Sequence, residues 1–171
     1  MKVADSVVTN EDYARRAAEL GHSIISSCEH GYQGRYIEAY RLAKQYGLKF
    51  LCSAEAYWVW NRTDQDRTNC HIWIGAKNES GREWLNEILS QANETGFYGQ
   101  PRLDPELIGL LPAGDVWITT ACVAGWKYRE QEESRLLDFY QTLHEKHGDN
   151  FMLEVQYHDT PSQKELNAYI L

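Results

Sequence analysis

Short apolar strand patterns alternate with amphipathic helix patterns along the chain, and this alternation is what most constrains the fold. Strands are predicted at 22–27, 48–53, 70–76, 115–120 and 151–157. Helices are predicted from Asn10 to Gly21, at 34–46, 79–94, 104–110 and 129–147, and from Pro161 onward. Residues 61–69 form a polar loop. Strands separated by helices normally pair in parallel, so the pattern predicts an α/β architecture with a parallel sheet.

Length and composition restrict the class of protein. A chain of 171 residues with 43% hydrophobic residues is long enough for one domain. No stretch approaches 18 apolar residues, and the N-terminus lacks a signal-peptide pattern, so we expect a cytoplasmic protein without a membrane segment. The net charge of −8 argues against a large basic surface for DNA.

Polar residues with metal-ligand chemistry recur where predicted strands end. His30, Glu55 and Cys122 each follow an apolar run, and His71 lies in the strand predicted at 70–76. Because parallel strands open their carboxyl ends onto one face, we expect these residues to converge there, with Asp5 as a fifth candidate. Imidazole, carboxylate and thiolate ligands suit zinc or manganese, and also iron, better than magnesium.

Each candidate also has a plain structural interpretation. His30 can be a hydrogen-bonded loop residue, Glu55 a solvated strand end and His71 a histidine at the mouth of a barrel. Cys122 can be a small buried hydrophobe, and Asp5 a helix cap. The recurrence of the pattern favours the metal site.

Other polar and aromatic residues are less informative. Glu154 and His158, at the end of the last predicted strand, are more typical of a solvated strand end than of ligands. Trp73 and Trp117 lie within predicted strands and Trp84 at core spacing on a helix, which predicts burial for all three. The pattern does not assign Trp58, Trp60 and Trp126 to the core, so a surface on which nucleic-acid bases stack is an alternative role for them.

Six segments carry a resemblance to a known family. Residues 27–31 (SCEHG), 53–57 (SAEAY) and 71–81 (HIWIGAKNESG) resemble its motifs, as do 96–102 (GFYGQPR), 120–125 (TACVAG) and 147–154 (HGDNFMLE). The chain thus resembles the polymerase-and-histidinol-phosphatase (PHP) domain of bacterial DNA polymerase III alpha subunits and of similar phage polymerases.

The resemblance implies a distorted (β/α)7 barrel and metal-dependent 3′–5′ phosphodiester hydrolysis, a proofreading-type activity. It implies metal ligands at His30, Glu55, His71, Cys122 and Asp5. Glu55 and His30 would take part directly in catalysis. It also gives Arg102, at the end of the 96–102 motif, a candidate role in binding phosphate.

The chain departs from the family pattern at both ends. The opening His-x-His motif and the later Asp-x-His motif have no counterpart, and Glu29 stands where Asp is expected. We therefore expect a single, partial domain over residues 1–171, an incomplete barrel and impaired activity. Alternatives are a non-catalytic module that supports a polymerase and a histidinol-phosphate type phosphatase; the 96–102 motif favours the polymerase branch.

These departures also predict partners. We expect the domain to bind DNA through the parent polymerase and to contact the remainder of that polypeptide. Without its first strand, a parallel barrel has an exposed edge, which predicts self-association or segment exchange.

Overall fold

Six helices and six strands make up the part of the chain that can be described. A computed structural model describes residues 8–171, so Asp5 lies outside the described residues. The helices are α1 (Asn10–Glu19), α2 (Tyr36–Gln45), α3 (Glu79–Thr95), α4 (Pro105–Ile108), α5 (Arg129–His147) and α6 (Pro161–Ile170). The strands are β1 (Ile24–His30), β2 (Lys49–Trp58), β3 (Cys70–Ala76), β4 (Arg102–Leu103), β5 (Val116–Thr119) and β6 (Phe151–Met152). The predicted α/β class is confirmed.

Side-chain caps fix where several helices begin. Thr9 Oγ1 accepts a hydrogen bond from the backbone N–H of Asp12 at 3.1 Å, so Thr9 caps α1 and Asn10 is already helical. Asn78 and Thr160 cap α3 and α6 in the same way. Such caps supply partners for backbone N–H groups that the first turn of a helix leaves unpaired.

The sheet is mixed, and the prediction of purely parallel pairing was wrong for one strand. β1 and β4 pair with β2 in parallel, and β5 pairs with β6 in parallel. β3 runs antiparallel to both of its neighbours, β2 and β5. The reason lies in residues 59–69, because a loop without a helix returns the chain beside β2 in the opposite direction.

The strand order is β1-β2-β3-β5-β6, with β4 paired beside β2. Among residues 8–171 no recorded pairing joins β6 back to β1, which is consistent with an incomplete barrel. β2 continues to Trp58, so Glu55 lies within the strand and not beyond its end. β6 covers only Phe151–Met152, much shorter than the predicted 151–157.

The two faces of the sheet differ in chemistry. On the core face, Ala54, Trp58 and Ile72 are buried in an apolar cluster to which α3 and α5 also contribute. On the opposite face, the strand register sets His30 beside Glu55 and His71 beside Tyr57. Because side chains alternate along a strand, this face collects the polar residues.

The tryptophans divide differently from the prediction. Trp58 and Trp126 are buried, and Trp60 packs against the same core. Trp84 is 38% exposed, although its spacing on α3 predicted burial. It lies next to Leu85, which is buried, so Trp84 sits at the margin of the apolar stripe of the helix.

Candidate metal centre

Four strands bring the candidate ligands to one edge of the sheet. β1 ends at His30, which lies beside Glu55 in the register of β2. β3 begins at Cys70, so His71 stands at its start, and β5 ends three residues before Cys122. Since β3 is antiparallel, its beginning meets the ends of β1 and β5. The reversed strand is therefore what places His71 at the site.

The side chains converge on one carboxylate oxygen. Glu55 Oε1 lies 2.8 Å from His71 Nδ1 and 3.1 Å from His30 Nε2. Cys122 Sγ lies 3.4 Å from His71 Nδ1. The ligand atoms of Glu55, His71 and Cys122 all lie within 4.8 Å of one another. His30 is at the rim, with 42% of its side chain exposed, against 19% for His71.

Burial and close partners shift the protonation of these groups. Burial lowers the pKa of His71, but hydrogen bonds with Cys122 and Glu55 outweigh it and raise the pKa to about 9. The hydrogen bond from His71 lowers the pKa of Glu55 despite burial. Burial opposes ionisation of Cys122, yet His71 and the Ala124 N–H lower its pKa. The contacts therefore shift His71 toward its protonated form, and Glu55 and Cys122 toward their ionised forms.

Cys122 differs in this respect from the buried cysteines. Burial raises the pKa of Cys52, and it raises the pKa of Cys70 to about 12. Metals bind the thiolate, so a lowered thiol pKa is the property that a cysteine ligand requires. Cys52 is a core residue, as its place in an apolar strand predicted.

The geometry fits a metal ion. Ligands around tetrahedral zinc lie about 3.4 Å apart for a nitrogen–oxygen pair and about 3.6 Å apart for a nitrogen–sulfur pair, given the usual bond lengths. The corresponding distances here, 2.8 and 3.4 Å, differ from these by about 0.6 Å or less. The ligand atoms of Glu55 and Cys122 lie within 4.8 Å of each other, against about 3.6 Å for an oxygen–sulfur pair around zinc. Side-chain rotations that bring this pair closer by up to about 1.2 Å would let Glu55, His71 and Cys122 hold an ion together.

A close-packed turn carries Cys122. It caps a short 3-10 turn, Val123–Trp126, and its Sγ accepts a hydrogen bond from the Ala124 N–H at 3.4 Å. A Cβ on Gly125 would lie 1.9 Å from the Thr120 carbonyl oxygen and 3.0 Å from the His71 carbonyl oxygen. Only glycine therefore lets this turn approach the backbone of His71 so closely.

A second glycine ends β1 beside His30. Gly31 has a φ of +76°, and a Cβ there would lie 2.9 Å from Pro101 Cγ. Its N–H donates to the carbonyl oxygen of Glu55 at 2.8 Å. This bond continues the β1–β2 pairing past His30, while Pro101 brings the 96–102 loop against the rim of the site.

Arg102 is a buried structural residue. It is 1% exposed, and its guanidinium donates to the backbone carbonyls of Gly96, Asp66 and Arg62 at 2.6–2.9 Å. These bonds hold the polar loop and the 96–102 loop together. The guanidinium N–H groups of Arg102 are thus hydrogen-bonded to carbonyl groups of the chain. A phosphate-binding role for Arg102 stays a prediction.

One hydrogen-bonded group beside the site was missed. Thr119 Oγ1 donates to Glu154 Oε2 at 2.5 Å, and Gln156 Nε2 donates to Glu154 Oε1 at 2.7 Å. The spacing of these residues in the sequence does not predict that Glu154 contacts Thr119 and Gln156, because β6 ends before Glu154 and the segment that follows is irregular. A cavity of about 570 Å³ adjoins this region and is lined by Cys122, Gln156 and His158 among others.

Together, the mixed α/β fold and the converging imidazole, carboxylate and thiolate define a candidate metal-binding domain with its site at a sheet edge. The family model described as the PHP domain matches residues 1–158. The chain belongs to the PHP domain family.

Known relatives are replication proteins. The chain is 25% identical to the DNA polymerase III subunit alpha of Aquifex aeolicus over 98% of its length, and 27% identical to that of Borreliella burgdorferi over 98%. The subunit of Helicobacter pylori is 28% identical over 92% of the chain. The chain spans only 14–16% of these relatives.

A solved structure, described as a candidate metal-dependent phosphoesterase from Bifidobacterium adolescentis, is 20% identical, with a TM-score of 0.39. The match covers 53% of this chain and 29% of that one. None of the helices within residues 8–171 combines the length and apolar character needed to cross a bilayer.

Proposed function

We propose that the chain is a partial PHP domain of a DNA polymerase III alpha-like polypeptide and binds a metal ion through Glu55, His71 and Cys122. The observation that carries the proposal is the convergence of these three ligand atoms within 4.8 Å. The similarity to polymerase III alpha subunits over nearly the whole chain supports the polymerase context, with DNA met through the remainder of the polypeptide.

The donor set favours zinc, with manganese and iron as the other candidates. A thiolate and an imidazole are ligands that borderline-soft ions prefer, whereas magnesium prefers oxygen ligands in octahedral geometry. Cys122 is the residue that makes this distinction. Its lowered pKa means that less free energy is lost in ionising the thiol when an ion binds.

The chemistry we propose is hydrolysis of a phosphodiester at a 3′ end. An ion held by Glu55, His71 and Cys122 would polarise a phosphoryl oxygen and lower the pKa of nearby water. Glu55, in contact with both histidines, orients them toward the site. His30, at the exposed rim, is accessible to substrate, and its Nε2 lies 3.1 Å from Glu55 Oε1. The 570 Å³ cavity beside Cys122 is of a size typical of small-ligand sites.

A second candidate function is a structural module that holds one ion and supports the polymerase. The observation that favours it is the small number of ligands, because three residues form the one metal-capable group found in residues 8–171. A single ion at a closed site stabilises a fold without supplying the paired ions typical of phosphodiesterases.

Metal content tests the proposal. Elemental mass spectrometry on the chain purified without added metal should find zinc, manganese or iron near one per chain, and Glu55→Ala or His71→Asn should lose it. The matched control is His144→Asn on the exposed face of α5, which should retain the metal. Wild-type protein without metal, even after dialysis against these ions, would overturn the metal centre.

Nuclease assays separate the two candidates. Metal-loaded wild-type chain should shorten a 5′-labelled single-stranded oligonucleotide from its 3′ end, and Glu55→Ala should not. A chain that holds its metal but leaves the oligonucleotide intact at high enzyme concentration would favour the structural module.

A further inference from the structure

The residue before Cys122 has an unfavourable backbone conformation. Ala121 has a φ of +54° and is 3% exposed. A left-handed conformation is unfavourable for a residue with a Cβ, so it persists only where the surroundings enforce it. Because Cys122 follows directly, the conformation of Ala121 sets the direction in which the chain delivers the sulfur.

The backbone N–H and carbonyl oxygen of Ala121 are each linked, through one side chain, to the carboxylate of Glu154. Its N–H donates to Thr119 Oγ1 at 3.2 Å, and Thr119 Oγ1 donates to Glu154 Oε2 at 2.5 Å. Its carbonyl oxygen accepts from Gln156 Nε2 at 3.4 Å, and the same nitrogen donates to Glu154 Oε1 at 2.7 Å. Glu154 therefore accepts hydrogen bonds from both side chains that bond to the backbone of Ala121, Thr119 at its N–H and Gln156 at its carbonyl oxygen.

The backbone around Glu154 reinforces this arrangement. The N–H of Glu154 donates to Thr120 Oγ1 at 3.0 Å, and the N–H of Thr120 donates to the carbonyl oxygen of Met152 at 3.3 Å. The segment after β6 thus runs alongside the segment after β5. Both carboxylate oxygens of Glu154 are engaged within this network, which argues for a role other than that of a ligand.

We propose that Glu154, acting through Thr119 and Gln156, is a positioning residue that holds Ala121 left-handed and so directs Cys122 Sγ toward His71 and Glu55. This inference rests on the proposed metal centre and extends it. Its consequence is selectivity, because the network keeps a thiolate in the site and so favours zinc and cobalt over manganese.

Cobalt titration of the full 171-residue chain tests the proposal, since a thiolate bound to Co²⁺ gives a sulfur-to-metal charge-transfer band. Thr119→Val removes the hydroxyl at nearly constant volume and should weaken Co²⁺ binding about tenfold, with a weaker band at saturation. Thr119→Ser restores the hydroxyl and should recover both. Mn²⁺ affinity, followed by electron paramagnetic resonance, should change less than about twofold in Thr119→Val because manganese gains little from the thiolate.

Two further variants keep the outcomes distinguishable. Glu154→Gln is isosteric but keeps only one acceptor oxygen, so it cannot accept from both Thr119 Oγ1 and Gln156 Nε2. It should also weaken the band, and it decides the matter if Thr119→Val does not fold. Thr142→Val, on the exposed face of α5, controls for loss of a threonine hydroxyl. A folded Thr119→Val and Glu154→Gln with wild-type band and affinity would overturn the positioning role alone. A wild-type chain without the band would overturn the metal centre itself and the inference with it.

Discussion

Gly125 provides a severe test of the site because it allows the turn carrying Cys122 to lie on the backbone of His71. In Gly125→Ala the new Cβ would be 1.9 Å from the Thr120 carbonyl oxygen, whereas ordinary contacts begin near 3.4 Å. The turn must withdraw by about 1.5 Å, since a packed interior has little free volume to absorb the overlap. Backbone on both sides, at Thr120 and His71, cannot rotate away as a side chain can.

We expect two effects of Gly125→Ala, both caused by the withdrawal of the turn. Overpacking of this kind costs about 2–3 kcal/mol of unfolding free energy. The same withdrawal moves Cys122 Sγ away from His71 Nδ1, now 3.4 Å distant, and loss of a ligand should weaken Co²⁺ binding about 10–100-fold. Urea denaturation of the metal-free chain measures the first effect, and cobalt titration measures the second.

Gly114→Ala is the matched control. A Cβ at Gly114 would meet no atom within 4 Å, and the residue is exposed. This variant should be as stable as wild type or up to about 1 kcal/mol more stable, with unchanged metal affinity. If Gly125→Ala behaves like Gly114→Ala in both assays, the close packing of the turn on His71 is not what positions Cys122.

Three further predictions concern ligands, pH and association. Glu55→Gln should weaken Co²⁺ binding about 10–100-fold, and His30→Asn less than about tenfold, because His30 lies outside the three-ligand group; equal losses in titration would contradict this order. In the metal-free chain the raised pKa of His71 means that its stabilising effect is complete below about pH 6.5 and is lost as pH rises through about 9. Nuclear magnetic resonance titration of the imidazole checks this, and a midpoint at or below 6.5 would contradict it. Finally, β1 and β6 are the edges of the described sheet, so sedimentation should show self-association, and a monodisperse monomer that unfolds cooperatively would count against it.

The candidate ligands could be selected from the sequence because their signal is local. His30 stands before a glycine at the end of an apolar run, and Cys122 follows another such run. Helix predictions succeeded for the same reason, as in α3, whose apolar positions and N-terminal cap lie within a single segment, and in α5, which ends before Gly148. The structure brings Glu55, His71 and Cys122 together; ligation by them, by His30 and by Asp5 stays a prediction.

Features that depend on distant pairing were not predictable in this way. The antiparallel direction of β3 follows from the pairing of β3 with β2 after a loop without a helix, and the periodicity of β3 does not encode which strand it pairs with. The burial of Trp58 and the exposure of Trp84 depend on which elements happen to cover each face. The contact between Thr119 and Glu154 joins residues 35 positions apart, one of them in an irregular segment.

The sequence alone determined the α/β class, the helices and the identities of the candidate ligands, because periodicity and residue chemistry are properties of short segments. Only the tertiary structure decided the direction of β3, the close packing of Gly125 and the left-handed conformation of Ala121. These depend on backbone contacts between segments far apart in the chain, and such contacts form only when the sheet is assembled. Assembly of the sheet places His71, at the start of β3, beside Glu55 near the end of β2 and Cys122 just after β5.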